Sequence, residues 1–338
     1  MTIRRRSIRG DRMAQSSMIN SVYYRLKPVI PRSVQIWLRR KMVLRNRHAY
    51  SHVWPILEEA GGKPDGWPGW PDQRQFALVL THDVETDRGQ QRCERLMSLE
   101  QQVGFRSSFN FVPERYDVSP KLRNLLTAGG FEVGVHGLNH DGKLYQSKNV
   151  FQERAHKING YLETWDVVGF RSPAAHHNLE WLHDLNIEYD ASTFDSDPFE
   201  PQPDGMQSIF PFWVVGTSMQ REYVELPYTL PQDLTLFVLL GEKTTSIWKQ
   251  KLDWIAEKGG MALMITHPDY MAFDESAPRV DEYPAAYYAE FLAYVRDNYK
   301  GRYWQALPKE IAAFMRGQRA GVGGVPASTT RTGRSPSA

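Results

Sequence analysis

Short apolar runs alternate with amphipathic stretches along most of this chain. The amphipathic stretches place apolar side chains three and four residues apart, as in the helix predicted from Phe151, Ala155, Ile158, Leu162 and Trp165. The apolar runs have the length of core strands: FALVL at 76–80, SFNFV at 108–112, FEVGV at 131–135, VVGF at 167–170, IEYD at 187–190, YVEL at 223–226, LTLFVLL at 234–240 and MALMI at 261–265. This alternation is typical of βα units and predicts an α/β fold with a mostly parallel sheet.

Side chains that can bind metal or take part in acid–base catalysis stand directly after several of these predicted strands. The carboxyl ends of parallel strands collect on one face of a βα architecture, and active sites form there. We therefore expect these residues, which are far apart in the sequence, to meet at one site. They are Asp83 and Glu85, His136 and His140, Arg171, Asp190 and His267.

The two histidines of HGLNH at 136–140 are candidate metal ligands. A loop that contains Gly and Asn can turn His136 and His140 toward one ion, and a carboxylate would complete a site with open positions for water. Histidines four apart are also common on surfaces and in cores. The position of this pair after a strand, with THDVE at 81–85 after a second strand and THP at 266–268 after a third, favours the metal site.

Three further residues are candidates for catalysis, each with a structural alternative. Asp83 could act as a general base or a metal ligand, or it could cap a turn. Arg171 could hold that carboxylate ionised through a bidentate pair, or form a structural salt bridge. His267 could protonate a leaving amine or alkoxide, or be a buried histidine that donates to the backbone.

Charge is distributed unevenly along the chain. The first fifty residues contain 13 Lys or Arg and one acid, a local +12, and the remaining 28 bases and 38 acids give −10. In this basic segment Val34, Trp37, Leu38 and Met42 fall at helical spacing. The predicted helix either attaches to an anionic membrane surface or packs on the body with its charges solvated. The acidic body and the lack of a recognition motif argue against nucleic-acid binding.

Composition divides the chain into three zones. Residues 1–70 are predicted to form a basic N-terminal extension, residues 71–316 a catalytic domain, and residues 317–338 a disordered tail rich in Gly, Ser, Thr, Pro and Arg. No apolar run approaches the length of a membrane span, and no apolar segment of a secretory signal follows Arg4–Arg6. We expect a cytoplasmic protein, at the inner face of the membrane if the basic helix attaches there.

Five motifs in the region from about 76 to 310 resemble those of the NodB-homology polysaccharide deacetylases, carbohydrate esterase family 4. The family has, in order, a TFDDG-like motif, an HSxxH-like motif, an RxPxG-like motif, an Asp-containing fourth motif and a histidine motif of LxH type. In this chain they are THDVE, HGLNH, RSPAA, YDASTFD and ITH. The resemblance implies a distorted (β/α) barrel with seven or eight mostly parallel strands. It also implies removal of N-acetyl or O-acetyl groups from a sugar of a polysaccharide or lipid-linked glycan precursor.

The resemblance assigns roles to individual residues. It makes Asp83 the catalytic base, His136 and His140 metal ligands, Arg171 the residue that braces the base, and His267 the acid. The implied cofactor is a divalent metal, zinc in first place with cobalt or nickel as alternatives.

Two of the motifs depart from the family pattern. Val84 stands where the family usually has a second Asp, so that Glu85 is the expected third metal ligand. In the fourth motif we favour Asp190 as the catalytic aspartate, with Asp195 as the alternative.

Two other functions stay open at this point. Relatives resembling allantoinases have a similar DVE sequence and are thought to work without metal, which suggests a metal-free hydrolase of cyclic amides. The departures from the family motifs, with the basic segment, suggest a catalytically silent module that binds a glycan or scaffolds an assembly at the membrane. The aromatic and proline-rich stretch at 197–213, with 225–233, forms either one wall of a substrate groove or a hydrophobic lid.

Overall fold

The computed structural model describes residues 32–217, 221–274 and 278–322. The strands are β1 (Phe76–Val84), β2 (Ser108–Phe111), β3 (Glu132–His136), β4 (Gly169–Arg171), β5 (Tyr189–Asp190), β6 (Phe212–Val214), β7 (Tyr223–Glu225), β8 (Met261–Thr266), β9 (Met271–Ala272), β10 (Tyr283–Pro284) and β11 (Tyr303–Gln305). The α-helices are α1 (Arg32–Arg47), α2 (Asp87–Gln90), α3 (Cys93–Val103), α4 (Pro120–Ala128), α5 (Lys148–Trp165), α6 (Ser246–Lys258), α7 (Ala285–Asn298) and α8 (Pro308–Val322).

One curled sheet forms the centre of the fold. β8 pairs with one edge of β1, while β11 and β2 share the other edge at its start and its end. The sheet continues in parallel through β3, β4, β5 and β7, and β6 adds an antiparallel edge strand. Past β7 the backbone returns to β8, where the amides of Thr229 and Leu230 both donate to the Leu263 carbonyl. The predicted distorted barrel of mostly parallel strands is confirmed.

The alternation of side chains along β1 determines which polar residues face the barrel interior. Successive side chains of a strand point to opposite faces. Thr81 and Asp83 both contact Arg171 inside the barrel, whereas Val84 packs in the apolar core on the other face. Glu85 therefore returns to the face of Asp83, which is why a DVE sequence presents two carboxylates together with one residue between them.

The run LTLFVLL at 234–240 is not a strand, although it has strand length. Leu234–Leu240 forms a π-helix whose first amide is capped by Asp233, and which ends at Gly241 in a left-handed conformation. A short run that is apolar throughout has no period that separates a buried strand from a buried helix. Here the Asp cap and the glycine at the two ends favour the helix.

The predicted boundary between residues 70 and 71 does not separate two structural units. In α1, Ile36 and Val43 are buried and pack against the π-helix, so the helix is attached to the body. Trp54 and Trp70 are also buried in the body. The residues from 32 onward therefore belong to the same folded unit as the barrel, because their apolar side chains complete its outer layer.

The predicted start of the tail at Gly317 is also corrected, since α8 continues to Val322. Residues 323–338 and 1–31, which contain the rest of the predicted tail and basic arm, lie outside the described residues. Within the described ranges, no helix combines the length and the apolar character that crossing a bilayer requires.

Candidate active site

Asp83 lies buried at the carboxyl end of β1, held by two donors. Asn110 Nδ2 donates to Asp83 Oδ1 across 3.0 Å, and Arg171 Nη1 lies 3.2 Å from the same oxygen. Burial opposes ionisation of this carboxyl, but the positive charge of Arg171, together with His136, His267 and the hydrogen bond from Asn110, outweighs burial and lowers the pKa of Asp83. The geometry thus keeps Asp83 as a carboxylate, the form that can accept a proton.

Arg171 is the last residue of β4 and is itself almost fully buried. Its Nη1 also donates to Thr81 Oγ1 at 2.7 Å, and its Nε donates to the Ala191 carbonyl at 2.8 Å. It therefore contacts Asp83 through one nitrogen rather than through the bidentate pair that the sequence suggested. The contact still fixes the position of the carboxylate, because the guanidinium is anchored at two further points.

Glu85, His136 and His140 bring three potential metal-binding atoms within 4.8 Å of one another. Glu85 Oε1 lies 3.0 Å from His140 Nε2, and Tyr270 donates its hydroxyl to Glu85 Oε2 at 2.8 Å. Burial opposes ionisation of Glu85, but the charge and proximity of His140 lower the pKa of the carboxyl well below its usual value. Glu85, not the residue directly after Asp83, is therefore the carboxylate of this cluster.

His136 has the protonation state that a metal ligand needs, and His140 offers a buried ring nitrogen. His136 Nδ1 lies 3.1 Å from the Arg171 carbonyl, to which it can only donate, so that Nε2 keeps its lone pair. Burial lowers the pKa of His136 to about 4, which favours the neutral ring. His140 Nε2 is buried and makes no hydrogen bond of normal geometry to the described residues. Two imidazoles and one carboxylate are the donors that zinc and related divalent ions bind, so the residues fit such an ion.

The backbone of HGLNH is shaped to aim its second histidine. Gly137 has φ +63°, and a side chain there would come within 2.6 Å of the Pro173 ring, so only glycine fits without displacement. His140 itself has φ +54°, a conformation uncommon for a residue with a side chain. The loop thereby turns back over the strand end and places His140 beside Glu85.

His267 follows β8 and forms a pair with Asp233. His267 Nδ1 lies 2.7 Å from Asp233 Oδ1, and the backbone amide of His267 donates to Oδ2 of the same carboxylate at 2.7 Å. Tyr283 donates its hydroxyl to Asp233 Oδ2 at 2.9 Å. Burial alone would lower the pKa of His267, but Asp233, Glu85 and Asp83 together raise it to about 10. His267 is therefore protonated at neutral pH and can donate a proton.

Neither aspartate of the fourth motif reaches this cluster. Asp190 accepts hydrogen bonds from the amide and the hydroxyl of Ser192, and Ser192 Oγ in turn accepts from the Ser172 amide. Asp195 pairs with the buried Lys251 at 2.6 Å. The structure therefore does not place Asp190 where its predicted catalytic role would need it. Asp190 instead holds the loop beside Arg171 through Ser192, and Asp195 forms a buried ion pair in the interior.

An open groove of about 1180 Å³ runs across the site. Among its lining residues are Asp83, Glu85, His136, His140, Arg171 and His267. The first part of the proline-rich stretch, from Pro198 to Pro203, forms one wall, as one of the two sequence hypotheses expected. Ile209 and Phe210 of the same stretch are buried in the core instead. Leu38, Arg39 and Met42 of α1 also line the groove.

Sequence reasoning missed three residues that support the site. Asn110 was the detectable one, because it is a polar residue on the inward face of a predicted buried strand, one strand from Asp83. Asp233 gave no signal, since its partner His267 is distant in sequence. Asp269 accepts from the Glu85 amide at 2.9 Å, and it packs so closely on Gly89 that an added Cβ would lie 2.2 Å from its carboxylate.

No protein-family model and no curated protein matches this sequence. Solved structures match the fold. A Mycobacterium smegmatis protein described as a polysaccharide deacetylase is 18% identical, with a TM-score of 0.57 over 74% of this chain and 93% of that chain. A Pseudomonas aeruginosa PAO1 protein of the same description is 16% identical, with a TM-score of 0.58 over 78% and 99% of the two chains.

The Puue allantoinase is also similar, at 14% identity and a TM-score of 0.59 over 78% of this chain and 98% of that chain. These likenesses define the class of fold, the distorted barrel that polysaccharide deacetylases and an allantoinase share. They do not choose between the two activities, because a fold alone does not determine the chemistry of its site.

Proposed function

We propose that this protein is a metal-dependent hydrolase that removes the acetyl group from an N-acetylated sugar. One observation carries the proposal. The carboxylate of Asp83, the imidazole of His267 and the three potential metal ligands all line the same groove. A general base, a general acid and a Lewis-acid site together can catalyse hydrolysis of an unactivated amide. The fold that contains them is shared with proteins described as polysaccharide deacetylases.

Glu85, His136 and His140 would hold the divalent ion, with zinc the first candidate and cobalt or nickel the alternatives. When bound, the ion would act as a Lewis acid toward the acetyl carbonyl and the attacking water. Asp269 would keep Glu85 in place by accepting from its backbone amide, and Tyr270 by donating to its carboxylate. Such supporting contacts orient metal ligands, and their loss typically costs about 10–100-fold in metal affinity or activity.

Asp83 would take a proton from the attacking water while the water oxygen forms the new bond to the acetyl carbon. Arg171 and Asn110 hold the carboxylate ionised and oriented for that transfer. His267 would then give its Nε2 proton to the amine as the carbon–nitrogen bond breaks, since Nδ1 faces Asp233. The products are acetate and a free amino sugar, and Asp233 acts as the positioning residue of the acid.

The size and lining of the groove support a substrate larger than one sugar. Its volume of about 1180 Å³ exceeds that of a typical pocket for a single small molecule. Phe199 lines it with an aromatic ring, and Pro198, Pro201 and Pro203 give it a rigid rim. We therefore include an N-acetylated oligosaccharide or a lipid-linked glycan precursor in the proposed substrate class.

The direct test measures acetate release from N-acetylglucosamine oligomers by the wild-type protein and by Asp83→Asn. The substitution removes the proton acceptor but preserves the shape, so release should fall about a hundredfold or more. Asp87→Asn, the same change at an exposed position four residues later, is the matched control and should retain activity. Release that survives Asp83→Asn unchanged would refute the assignment of the base.

Metal-free hydrolysis of a cyclic amide is the second candidate, and the DVE sequence and the allantoinase likeness favour it. In that reaction Asp83 and His267 would act without an ion. Turnover of allantoin that is unaffected by exhaustive chelation, without acetate release from sugars, would select this alternative.

A further inference from the structure

Helix α1 packs one face on the body and leaves the opposite face in solvent. The solvent face carries Val34, Trp37, Leu38, Met42 and Leu44, each between 42% and 56% exposed. They are five of the eight large hydrophobic side chains that are exposed on the described parts of the molecule. Single exposed apolar residues are ordinary on soluble proteins, but a concentration on one helix marks an interaction surface.

The same face is basic. Lys41 and Arg45 lie among the apolar residues, and Lys41 Nζ is 3.9 Å from the centre of the Trp37 ring. On the other side of α1, Arg40 donates to the Val238 carbonyl and Arg47 pairs with Glu242 at 2.7 Å. The helix contains no acidic residue, and the ion pairs of the described residues leave Lys41 and Arg45 without an acidic partner.

We propose that this solvent face of α1 docks on an anionic lipid bilayer. Helices that lie at membrane surfaces combine tryptophan and aliphatic side chains with Lys and Arg. The apolar side chains would enter the headgroup boundary, while Lys41 and Arg45 extend to the lipid phosphates. The 31 residues that precede α1 contain seven Lys or Arg against one acid, which adds attraction of the same sign.

Charge also argues against two other occupants of this face. A second copy packed symmetrically would bring Lys41 and Arg45 against the same two cations. The chain's own residues before α1 are themselves strongly basic and would be repelled. An anionic surface is the partner that complements both the helix and the segment before it.

Docking would also orient the groove. Leu38 and Met42 belong both to the exposed face and to the groove wall, next to Arg39. The groove would therefore open at the bilayer surface, where an acetylated sugar on a lipid anchor would be held. This consequence rests on the proposed function, whereas the docking itself does not.

The test mixes full-length protein with vesicles of phosphatidylcholine alone, or of phosphatidylcholine and phosphatidylglycerol in equal parts, and measures flotation. We expect binding to the mixed vesicles that weakens as salt rises, because salt screens the charges. Trp37→Ser combined with Leu38→Ser should weaken binding roughly tenfold or more, since the two substitutions remove apolar side chains that would enter the bilayer. Leu125→Ser combined with Val280→Ser changes exposed apolar residues elsewhere and should bind like wild type.

Fluorescence then locates the contact on the helix. Brominated lipid should quench the contribution of Trp37, isolated as the difference between wild type and Trp37→Phe. No binding to the mixed vesicles, full binding by the double variant, or no quenching of Trp37 would each overturn the proposal.

Two further outcomes would assign the face to a different occupant and also overturn it. A dimer that the double substitution dissociates, without lipid binding, would assign the face to a second copy. Shielding of Trp37 from acrylamide in the lipid-free protein would assign it to the residues before α1. Asp83→Asn should float like wild type, so docking and catalysis are tested separately.

Discussion

Asp83 and His267 obtain their protonation states in the same way. Asp83 and His267 are both buried, and burial disfavours the charged form of each. Several neighbouring charges together outweigh burial in both cases, and the largest of these contributions comes from Arg171 at Asp83 and from Asp233 at His267. A base and an acid therefore coexist in one groove at neutral pH.

Replacing Asp233 with Asn tests the acid half of this arrangement. His267 must be protonated to act, and its pKa of about 10 depends on the Asp233 carboxylate. Without that charge the pKa of His267 falls, so the alkaline loss of kcat should move to lower pH by about one pH unit or more. The measurement is the pH profile of acetate release.

Asp233→Glu is the control for that experiment, because it keeps the charge and should retain more of the alkaline activity. A purely structural role of Asp233 would lower kcat equally at every pH. An unmoved alkaline limb in Asp233→Asn would therefore contradict the assignment of His267 as the acid.

The position of polar residues at strand ends predicted which side chains would meet in one groove. His136, His140, Arg171 and His267 were all found that way, and the structure brings them together. It failed for Asp190, because an aspartate after a strand can equally accept from a nearby serine, as it does here. It also failed for Asp233, because nothing local in the sequence indicates a partner 34 residues away.

At the scale of elements, strand β1 shows how the two-residue alternation of side chains determines which residues face the site. A second Asp directly after Asp83 would share the position of Val84, which packs in the core. Glu85 returns to the interior face and reaches His140. The π-helix shows the limit of such patterns, since an unbroken apolar run has no period from which its structure could be predicted.

Helix α1 combines two apolar faces that the sequence hypotheses treated as alternatives. Ile36 is 3% exposed against the body, while Val34 is 42% exposed on the opposite face. Ile36→Ala should lower the free energy of unfolding by about 2–4 kcal/mol, because a buried side chain leaves a cavity. Val34→Ala, on the same helix, should change it by less than about 0.5 kcal/mol.

Urea denaturation of both variants would measure this difference. Since alanine favours helix formation, any loss of stability in Ile36→Ala reports packing rather than helix propensity. Equal and small effects would show that α1 is not part of the folded body.

For the whole molecule, the order of the motifs was more informative than any single motif. The parallel barrel brings residues of THDVE, HGLNH and RSPAA, and His267 of ITH, to one groove from strands that are far apart in the sequence. Composition was less reliable, because it placed a domain boundary at residue 70 and the tail at residue 317. Apolar side chains before residue 70, such as Trp54, are buried in the body, and α8 continues past residue 317. A small number of apolar residues is enough to attach a mostly polar segment to a core.

The central claim is that hydrolysis depends on an ion held by Glu85, His136 and His140. The most direct measurement is acetate release from N-acetylglucosamine oligomers, with bound metal quantified in the same preparation, before chelation, after chelation, and after adding zinc, cobalt or nickel. The account predicts stoichiometric metal, loss of both metal and activity on chelation, recovery with at least one of the ions, and neither metal nor activity in Glu85→Ala. Full turnover by the chelated, metal-free protein would contradict it.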